Sequence, residues 1–384
     1  MGTLIRSAEA ADILDVSKPT LYAYVSRGRL TRTTAADGRT SLFDRDEVEQ
    51  LSERSRRAAS GPRPTIDVQI RSDITTMHES ALEFRGHDVV GLARHHHFED
   101  VAELLWSSGA AVAPVGVSWP KADFGDLASI AGIADLDATP IGRIAIAAHT
   151  LDACHRDDDA ATAARRLLLV TPKILGSPRR TGAYALRLAA AWHPQPKPDL
   201  VYAVDTALSL LADHELATST LAVRIAASTR TTPYAAFATG LASIEGRLHG
   251  SASADIHRFL ERCAEHGPTG VIAELRSTRQ VVPGFGHKVY RGVDPRFGPL
   301  MEAIRPLDHD GSALAVVDAV VNEVGRTLPH QPNVDLALGT LTWIAGLDSG
   351  TPIFAVARIA GWAAHYDEEL EEPPLRFRGV ARPR

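Results

Sequence analysis

Four stretches of the 384-residue chain set His, Asp or Arg beside glycines or inside apolar runs. Burying an ionisable group there is costly unless it has a partner or a task. The first stretch is Gly246-Arg247-Leu248-His249-Gly250-Ser251, with a helix predicted to follow to about Glu265. The positive end of a helix disfavours imidazolium, so His249 would stay neutral and able to donate a hydrogen bond to an enolate oxygen; a surface or capping role is the plain alternative. The second runs from Val281 through Pro283-Gly284-Phe285-Gly286-His287-Lys288-Val289-Tyr290 to Asp294-Pro295-Arg296. Gly284 and Gly286 let the backbone approach a ligand and aim His287 inward, or else this is a glycine-bearing loop whose His meets water. In the third, Pro332-Asn333-Val334-Asp335, the carboxylate opens an apolar run from Leu336 to Trp343, where it complements a helix dipole. The fourth is Arg358, alone among the apolar residues Ile353 to Ala363. A guanidinium cannot shed its charge, so it must snorkel or pair with an anion, and a bound carboxylate would satisfy it. Asp213-His214-Glu215 likewise interrupts an apolar helix ending near Leu211, with Arg224 beyond it; a capped helix junction gives the same pattern.

Holding such groups together takes a scaffold. Phe98 to Trp106, Pro140 to Leu151, Leu200 to Leu211, Thr220 to Ala227 and Ala315 to Val324 repeat apolar residues every three or four positions, which predicts helices. Strand patterns are few and short, near Ile66 to Ile70 and Leu82 to Phe84, so the body is expected to be mostly helical. The adjacent His95, His96 and His97 cannot converge on a metal from one helix face, and a solvated turn is expected there. Cys154 and Cys263 lie far apart and outside metal-type spacing, so neither a disulfide framework nor a structural zinc site is expected. A net charge of -6 gives no global pull toward nucleic acid or membrane. No stretch reaches about 18 uninterrupted apolar residues. Met1 to Asp12 lacks the basic start and apolar core of an export signal, so a cytoplasmic location is expected.

The first 58 residues read as a domain of their own, followed by a linker rich in Arg, Ser, Ala, Gly and Pro over 59–65 and a body over 66–384. Ser7 can cap a helix from Ala8 to Leu14, Asp15-Val16-Ser17 makes a turn, and Ser17 with Pro19 starts a second helix to about Ser26. An Asp37-Gly38 turn, a strand at Thr40 to Phe43 and an Asp44-capped helix complete a winged arrangement. The run from Ala11 to Leu30 resembles the MerR and excisionase type of DNA-binding domain. The second helix would then set Lys18, Thr20 and Tyr22 or Tyr24 near base edges, with Arg27, Arg29, Arg32 and Arg39 at phosphates. Residues 1–57 hold ten Lys or Arg against nine Asp or Glu, a weak basic excess that also fits a small domain used for protein contacts.

The spaced set Asp213-His214-Glu215, Leu248-His249-Gly250, Pro283 to His287 with Asp294-Pro295-Arg296, Pro332 to Asp335, and Ala357-Arg358-Ile359-Ala360-Gly361-Trp362 resembles the citrate synthase family in order and spacing. Leu82 to Asp88 and Phe98 to Trp106 are similar to its early segments. The resemblance implies an all-α fold with a large domain and a smaller one over roughly 251–343. It implies that Asp335 takes a proton from the methyl of acetyl-CoA while His249 stabilises the enolate, that His287 polarises and protonates the ketone of oxaloacetate, and that His214, Arg296 and Arg358 hold its carboxylates. Hydrolysis then releases CoA, with no cofactor and no metal. It further implies a homodimer whose subunits share active sites, with Arg378 the best-placed tail arginine for the partner's site. Ser251, Ser253 and Ala254 depart from the family's usual Gly, Asn and Glu or Gln near CoA, leaving propionyl-CoA and 2-methylcitrate synthesis as an alternative. A regulator whose synthase-like body senses CoA esters or dicarboxylates is a third possibility, which retention of a catalytic base argues against.

Overall fold

The computed structural model describes residues 4–14, 21–22, 24–25, 30–35, 40–45, 47–49, 70–107, 115–246, 252–287, 289–290, 292–348 and 350–377. Contacts divide the chain into two compact units, 1–71 and 72–384.

In the first unit, strand β1 (Leu4–Arg6) leads into helix α1 (Ser7–Leu14), and β2 (Thr33–Thr34) and β3 (Ser41–Asp44) follow. The strands form an antiparallel sheet in the order β1, β3, β2. Residues 21–22, 24–25, 45 and 47–49 are also helical. Ile5, Ala10, Ala11, Leu14, Leu21, Leu30, Phe43 and Val48 make its apolar core. The Asp44 carboxylate accepts the Glu47 N–H at 3.3 Å, the cap expected from sequence. Strand β1 was not foreseen, because three residues are too few to show an alternating pattern. Lys18, Thr20, Arg27, Arg29 and the Asp37-Gly38 turn lie outside the described residues; Arg32 is exposed.

The second unit is a helical body with one small sheet. Strands β4 (Thr75–Met77), β5 (Leu82–Phe84) and β6 (His87–Asp88) pair antiparallel in that order. Arg85 and Gly86 turn the second hairpin with φ of 49° and 80°, the positive values that a two-residue turn between twisted strands requires. Of the strand expected at Ile66 to Ile70, residues 66–69 lie outside the described residues and Ile70 is in no strand; β4 is the strand that pairs with β5.

Helices α2 (Val89–His95), α3 (Phe98–Trp106), α4 (Phe124–Ser129), α5 (Pro140–Cys154), α6 (Ala160–Ile174), α7 (Tyr184–Ala189) and α8 (Pro198–Leu211) come next. Then come α9 (Thr218–Ser228), α10 (Pro233–Glu245), α11 (Ala252–His266), α12 (Pro268–Ser277), α13 (Phe297–Ile304), α14 (Ser312–Thr327), α15 (Val334–Ala345) and α16 (Thr351–Glu371). Several starts follow from local chemistry. Thr139 and Thr232 cap α5 and α10 ahead of a proline at the first helical position, and Asp159 accepts the Thr162 N–H to cap α6.

Helix α16 is the axis of the larger core. Its residues from Pro352 to Tyr366 are all buried, as a helix apolar on every side must be. A smaller core gathers Ile256, Phe259, Leu260, Val271, Ile272, Val317, Val320, Val324 and Leu336 from α11, α12, α14 and α15. Helix α15 bridges the two, with Leu336 in the smaller core and Ala337, Leu338 and Leu341 in the larger. Asp335 precedes that junction by one residue.

Candidate active site

The glycine-rich loop and the start of α15 are clasped together. Phe285 and Pro332 form a β-bridge, the Gly286 N–H donates to the Gln331 carbonyl at 2.8 Å, and the Asn333 N–H donates to the Gly284 carbonyl at 3.0 Å. The Asn333 side chain completes the clasp. Its Nδ2 donates to the Gly286 carbonyl at 2.8 Å, while its oxygen accepts the N–H groups of Asp335 and Leu336 at 3.1 and 3.3 Å, capping α15. Gly284 has φ of 83°, and a Cβ there would stand 2.8 Å from the Cβ of Leu336, so only glycine fits. Asp335 and His287 are thereby fixed to one rigid turn.

Around them the charged residues converge. The His287 ring lies 5.2 Å from the His214 ring and 4.7 Å from the Tyr290 ring, and His214 Nε2 is 3.2 Å from the Tyr290 hydroxyl. The Nδ1 of His287 accepts backbone N–H groups from Val289 and Tyr290 at 3.1 and 3.3 Å, so a neutral ring carries its proton on Nε2. Burial pushes the His214 pKa well below the usual value, and the charges of Arg296, Arg358 and His287 push the same way; His214 is neutral. Burial also raises the Tyr290 hydroxyl to about 12. Asp335 is held above the ordinary carboxylate range, first by burial and then by the Asp294 charge, with Arg296 and Arg358 pulling it back.

The two guanidiniums differ. Arg296 is buried and forked onto Asp294, with Nε–Oδ1 at 3.0 Å and Nη2–Oδ2 at 2.8 Å. Asp294 also accepts the Val334 N–H at 3.1 Å, tying this pair to the start of α15, and Arg296 holds its carboxyl below the usual range despite burial. Arg358 is 3% exposed and does not snorkel. It packs 4.8 Å over the Phe354 ring, and its Nε and Nη1 find no hydrogen-bond partner among the described residues. Burial lowers its pKa to about 10, with Asp213 and Asp335 opposing. A buried guanidinium with open donors, beside a neutral imidazole and a ring-packed His–Tyr pair, is built to receive an anion.

A family model described as "Citrate synthase, C-terminal domain" matches residues 67–384, and a helix-turn-helix domain model matches residues 4–56. The chain belongs to the citrate synthase family. It is 28% identical to the citrate synthase of Haloferax volcanii over 78% of this chain and 89% of that protein. It is 29% identical to the 2-methylcitrate synthase of Mycobacterium tuberculosis over 76% of this chain and 81% of that one. Among solved structures, citrate synthase from Pyrobaculum aerophilum superposes with a TM-score of 0.69 at 24% identity, covering 82% of this chain and 90% of that one. The Thermoplasma acidophilum citrate synthase, solved with carboxymethyl coenzyme A and oxaloacetate, superposes at 0.66 with 21% identity over 83% and 96% of the two chains. These likenesses establish the fold as that of citrate synthases.

Within this citrate synthase fold, a buried polar frame stands behind Arg358. Asp213 is fully buried; its Oδ2 accepts from the Thr75 hydroxyl and the Glu215 N–H, and His365 Nε2 is 3.3 Å away. Gly361 allows α16 to run against this point, donating to the Ala212 carbonyl at 3.1 Å where a Cβ would strike Asp213. Arg224 is structural: it pairs with Glu368 at 2.6 Å and Glu369 at 2.9 Å, and Arg376 of the tail also meets Glu369. Sequence reasoning missed Tyr290 and Asp294 as site residues, although both sit within the quoted motifs and an Asp two residues before an Arg is a standing hint of a fork. His249 and Arg378 lie outside the described residues. The three adjacent histidines are not merely a solvated turn. His95 ends α2, and His97 precedes α3 with Nδ1 2.6 Å from Asp205, which raises its pKa to about 9.

Proposed function

We propose that the chain condenses acetyl-CoA with oxaloacetate and hydrolyses the thioester to citrate and CoA. The observation that carries this is Arg358, a buried cation with two donors unpaired among the described residues, electrostatically coupled to His214 and Asp335. A dicarboxylate would supply the missing partner: one carboxylate on Arg358 with help from neutral His214, the other near Arg296, whose Nε and Nη2 are already held by Asp294. In this scheme Asp335 removes the methyl proton, and its raised basicity suits the task. His249 donates to the thioester oxygen as the enolate forms, and the Nε2 proton of His287 passes to the ketone oxygen as the carbon–carbon bond forms. Closure of the 251–343 part over the cleft would exclude water from the enolate. The active unit is a homodimer, with Arg378 reaching the partner subunit's site. No metal or cofactor takes part.

Relatives bearing the citrate synthase and the 2-methylcitrate synthase names match about equally, and one methylene alters pocket binding by only about 1–3 kcal/mol, so propionyl-CoA is the competing substrate. The test follows free thiol release from purified protein with oxaloacetate and either acyl-CoA. Asp335→Asn should reduce release by about 10²–10⁴-fold while the fold persists. Absence of release with both acyl-CoAs would overturn the proposal. The helix-turn-helix match over residues 4–56 favours a second, compatible activity: DNA binding through residues 1–58. Affinity should then fall steeply with salt, and Arg29→Ala or Arg32→Ala should weaken it.

A further inference from the structure

The proposed chemistry leaves Tyr290 without a task, although it stands among the residues that carry that chemistry out. It is 2% exposed. Its ring lies 4.7 Å from that of His287 and 5.7 Å from that of His214, and its hydroxyl is 3.2 Å from His214 Nε2. Burial raises the pKa of that hydroxyl, and the charges of Arg296 and Arg358 both act against the rise. The hydroxyl is therefore within electrostatic reach of both guanidiniums that would hold a dicarboxylate.

The direction of the His214–Tyr290 hydrogen bond follows from what each group can spend. A buried hydroxyl whose proton meets no acceptor costs free energy, and among the described residues His214 Nε2 is the only hydrogen-bond partner of the Tyr290 hydroxyl. Tyr290 therefore donates and Nε2 accepts. A hydrogen bond from the His214 ring to its own backbone carbonyl agrees, because it keeps the proton on the other nitrogen, Nδ1. In the empty cleft His214 thus has no N–H left to offer an anion. The charged and titratable groups around this ring are Arg296 from the turn into α13, Arg358 from α16, and His287 and Tyr290 from the glycine-rich loop. Of its chain neighbours, Asp213 is engaged by Thr75, the Glu215 N–H and His365, and Glu215 is exposed.

We propose that Tyr290 is a further substrate-binding residue: its hydroxyl turns from His214 to a carboxylate oxygen of the bound dicarboxylate, and His214 takes one proton from solvent at Nε2 to donate to the Tyr290 oxygen in its place. Resting on the oxaloacetate reading, this gives His214 its part in binding through Tyr290 rather than directly. Hydrogen bonds to an ionised acceptor are roughly twice as strong as neutral ones, so the exchange is favourable. After burial, the charges of Arg296 and Arg358 hold the imidazole neutral, and an anion on Arg358 lifts part of that pressure while adding its own attraction. His287 cannot take the proton instead: its Nδ1 accepts the N–H groups of Val289 and Tyr290, and its Nε2 carries the proton of the neutral ring. Asp335 is the competing acceptor. Because His214 gains its proton only in the complex, oxaloacetate affinity falls as pH rises, by up to about tenfold per pH unit, and levels off above the value His214 has in the complex.

Calorimetric titration of the full chain with oxaloacetate at pH ~7, repeated in phosphate and in Tris, counts the protons taken up from the difference in buffer ionisation heat. The parent should take up between about half and one proton per chain, and Asp335→Asn should keep that uptake. Tyr290→Phe retains the ring packing and should melt within a few degrees of the parent. Its affinity should fall about tenfold to a hundredfold, and its uptake to less than about half the parent's. Three results would overturn the inference: binding without proton uptake in the parent, uptake lost in Asp335→Asn, or Tyr290→Phe matching the parent in affinity or in uptake. The first two need no Tyr290 variant and decide the matter even if that variant misfolds. A parent that binds no oxaloacetate would bring down the oxaloacetate reading as well, whereas a parent that releases thiol and binds without uptake loses only the role of Tyr290.

Discussion

Replacing Arg358 by Met should separate stability from function. In the unliganded protein the guanidinium is 3% exposed, and two of its donor atoms lack hydrogen-bond partners among the described residues. Each buried unsatisfied donor costs about 1–3 kcal/mol, and apolar residues of similar volume in place of buried charges are commonly neutral or stabilising by about 1–4 kcal/mol. Asp213 would lose an attractive charge but keep Thr75 and His365. Unliganded Arg358→Met is therefore expected to melt no lower than the parent and up to several degrees higher, at roughly 2 °C per kcal/mol for a body of this size. Function moves the other way. Deleting one partner of a buried charge pair costs about 2–5 kcal/mol, or roughly 30-fold to several-thousand-fold in kcat/KM. Differential scanning calorimetry with and without oxaloacetate checks both halves: the parent should gain melting temperature with ligand and the variant should not. A variant that melts more than about 5 °C lower without ligand, or that keeps the full oxaloacetate shift, would refute the assignment.

Gly284→Ala joins a positive φ to a 2.8 Å clash with Leu336, and should cost about 2–5 kcal/mol in urea unfolding while lowering thiol release by loosening the turn that fixes His287 to Asp335. The acid limb of kcat/KM should lie above the ordinary aspartate range, because an Asp335 raised by burial must be ionised to act as the proposed base; activity unchanged down to pH ~4 in folded protein would contradict this. His97, raised to about 9 by its bond to Asp205, stabilises the fold fully below its unfolded value of 6.5 and loses that contribution as pH rises through 9. His97→Gln should therefore lower the melting temperature near pH 6 and have no effect well above pH 9, as a pH series of thermal melts would show.

The sequence made the long helices plain because amphipathic spacing is a local signal: α3 spans Phe98–Trp106 as its pattern predicts, and α8, α9 and α14 extend only a few residues beyond theirs. Arg358 stood out because a charge inside an all-apolar helix is anomalous on its face. Arg187 carried the same mark within Tyr184 to Ala189 and went unnoticed, since no motif surrounds it. The short strands were less legible. Thr75 in β4 is polar, yet it is buried because its hydroxyl reaches Asp213, a partner 138 positions away. Such pairings set the electrostatics of the site, and no window of local sequence contains both members. Tyr290 on His214 and Asn333 on Gly286 are further cases.

Those remote pairings also explain why the cleft tolerates its own charge. Arg296 and Arg358 each lower the proton affinity of His214, and two guanidiniums with a buried imidazole would be untenable if all three were cationic. The fold resolves this unequally. Arg296 is neutralised in place by Asp294, which is itself pinned to the start of α15, whereas Arg358, among the described residues, is backed by Asp213 only through its charge and without a hydrogen bond. One cation is thus structural in the free protein and the other waits for an anion. Arrival of a dicarboxylate would complete the charge balance at Arg358 and weaken that cation's downward pull on Asp335, raising the basicity of the proposed base. Substrate binding and activation of the carboxylate would then be one electrostatic event, needing no contact between oxaloacetate and Asp335.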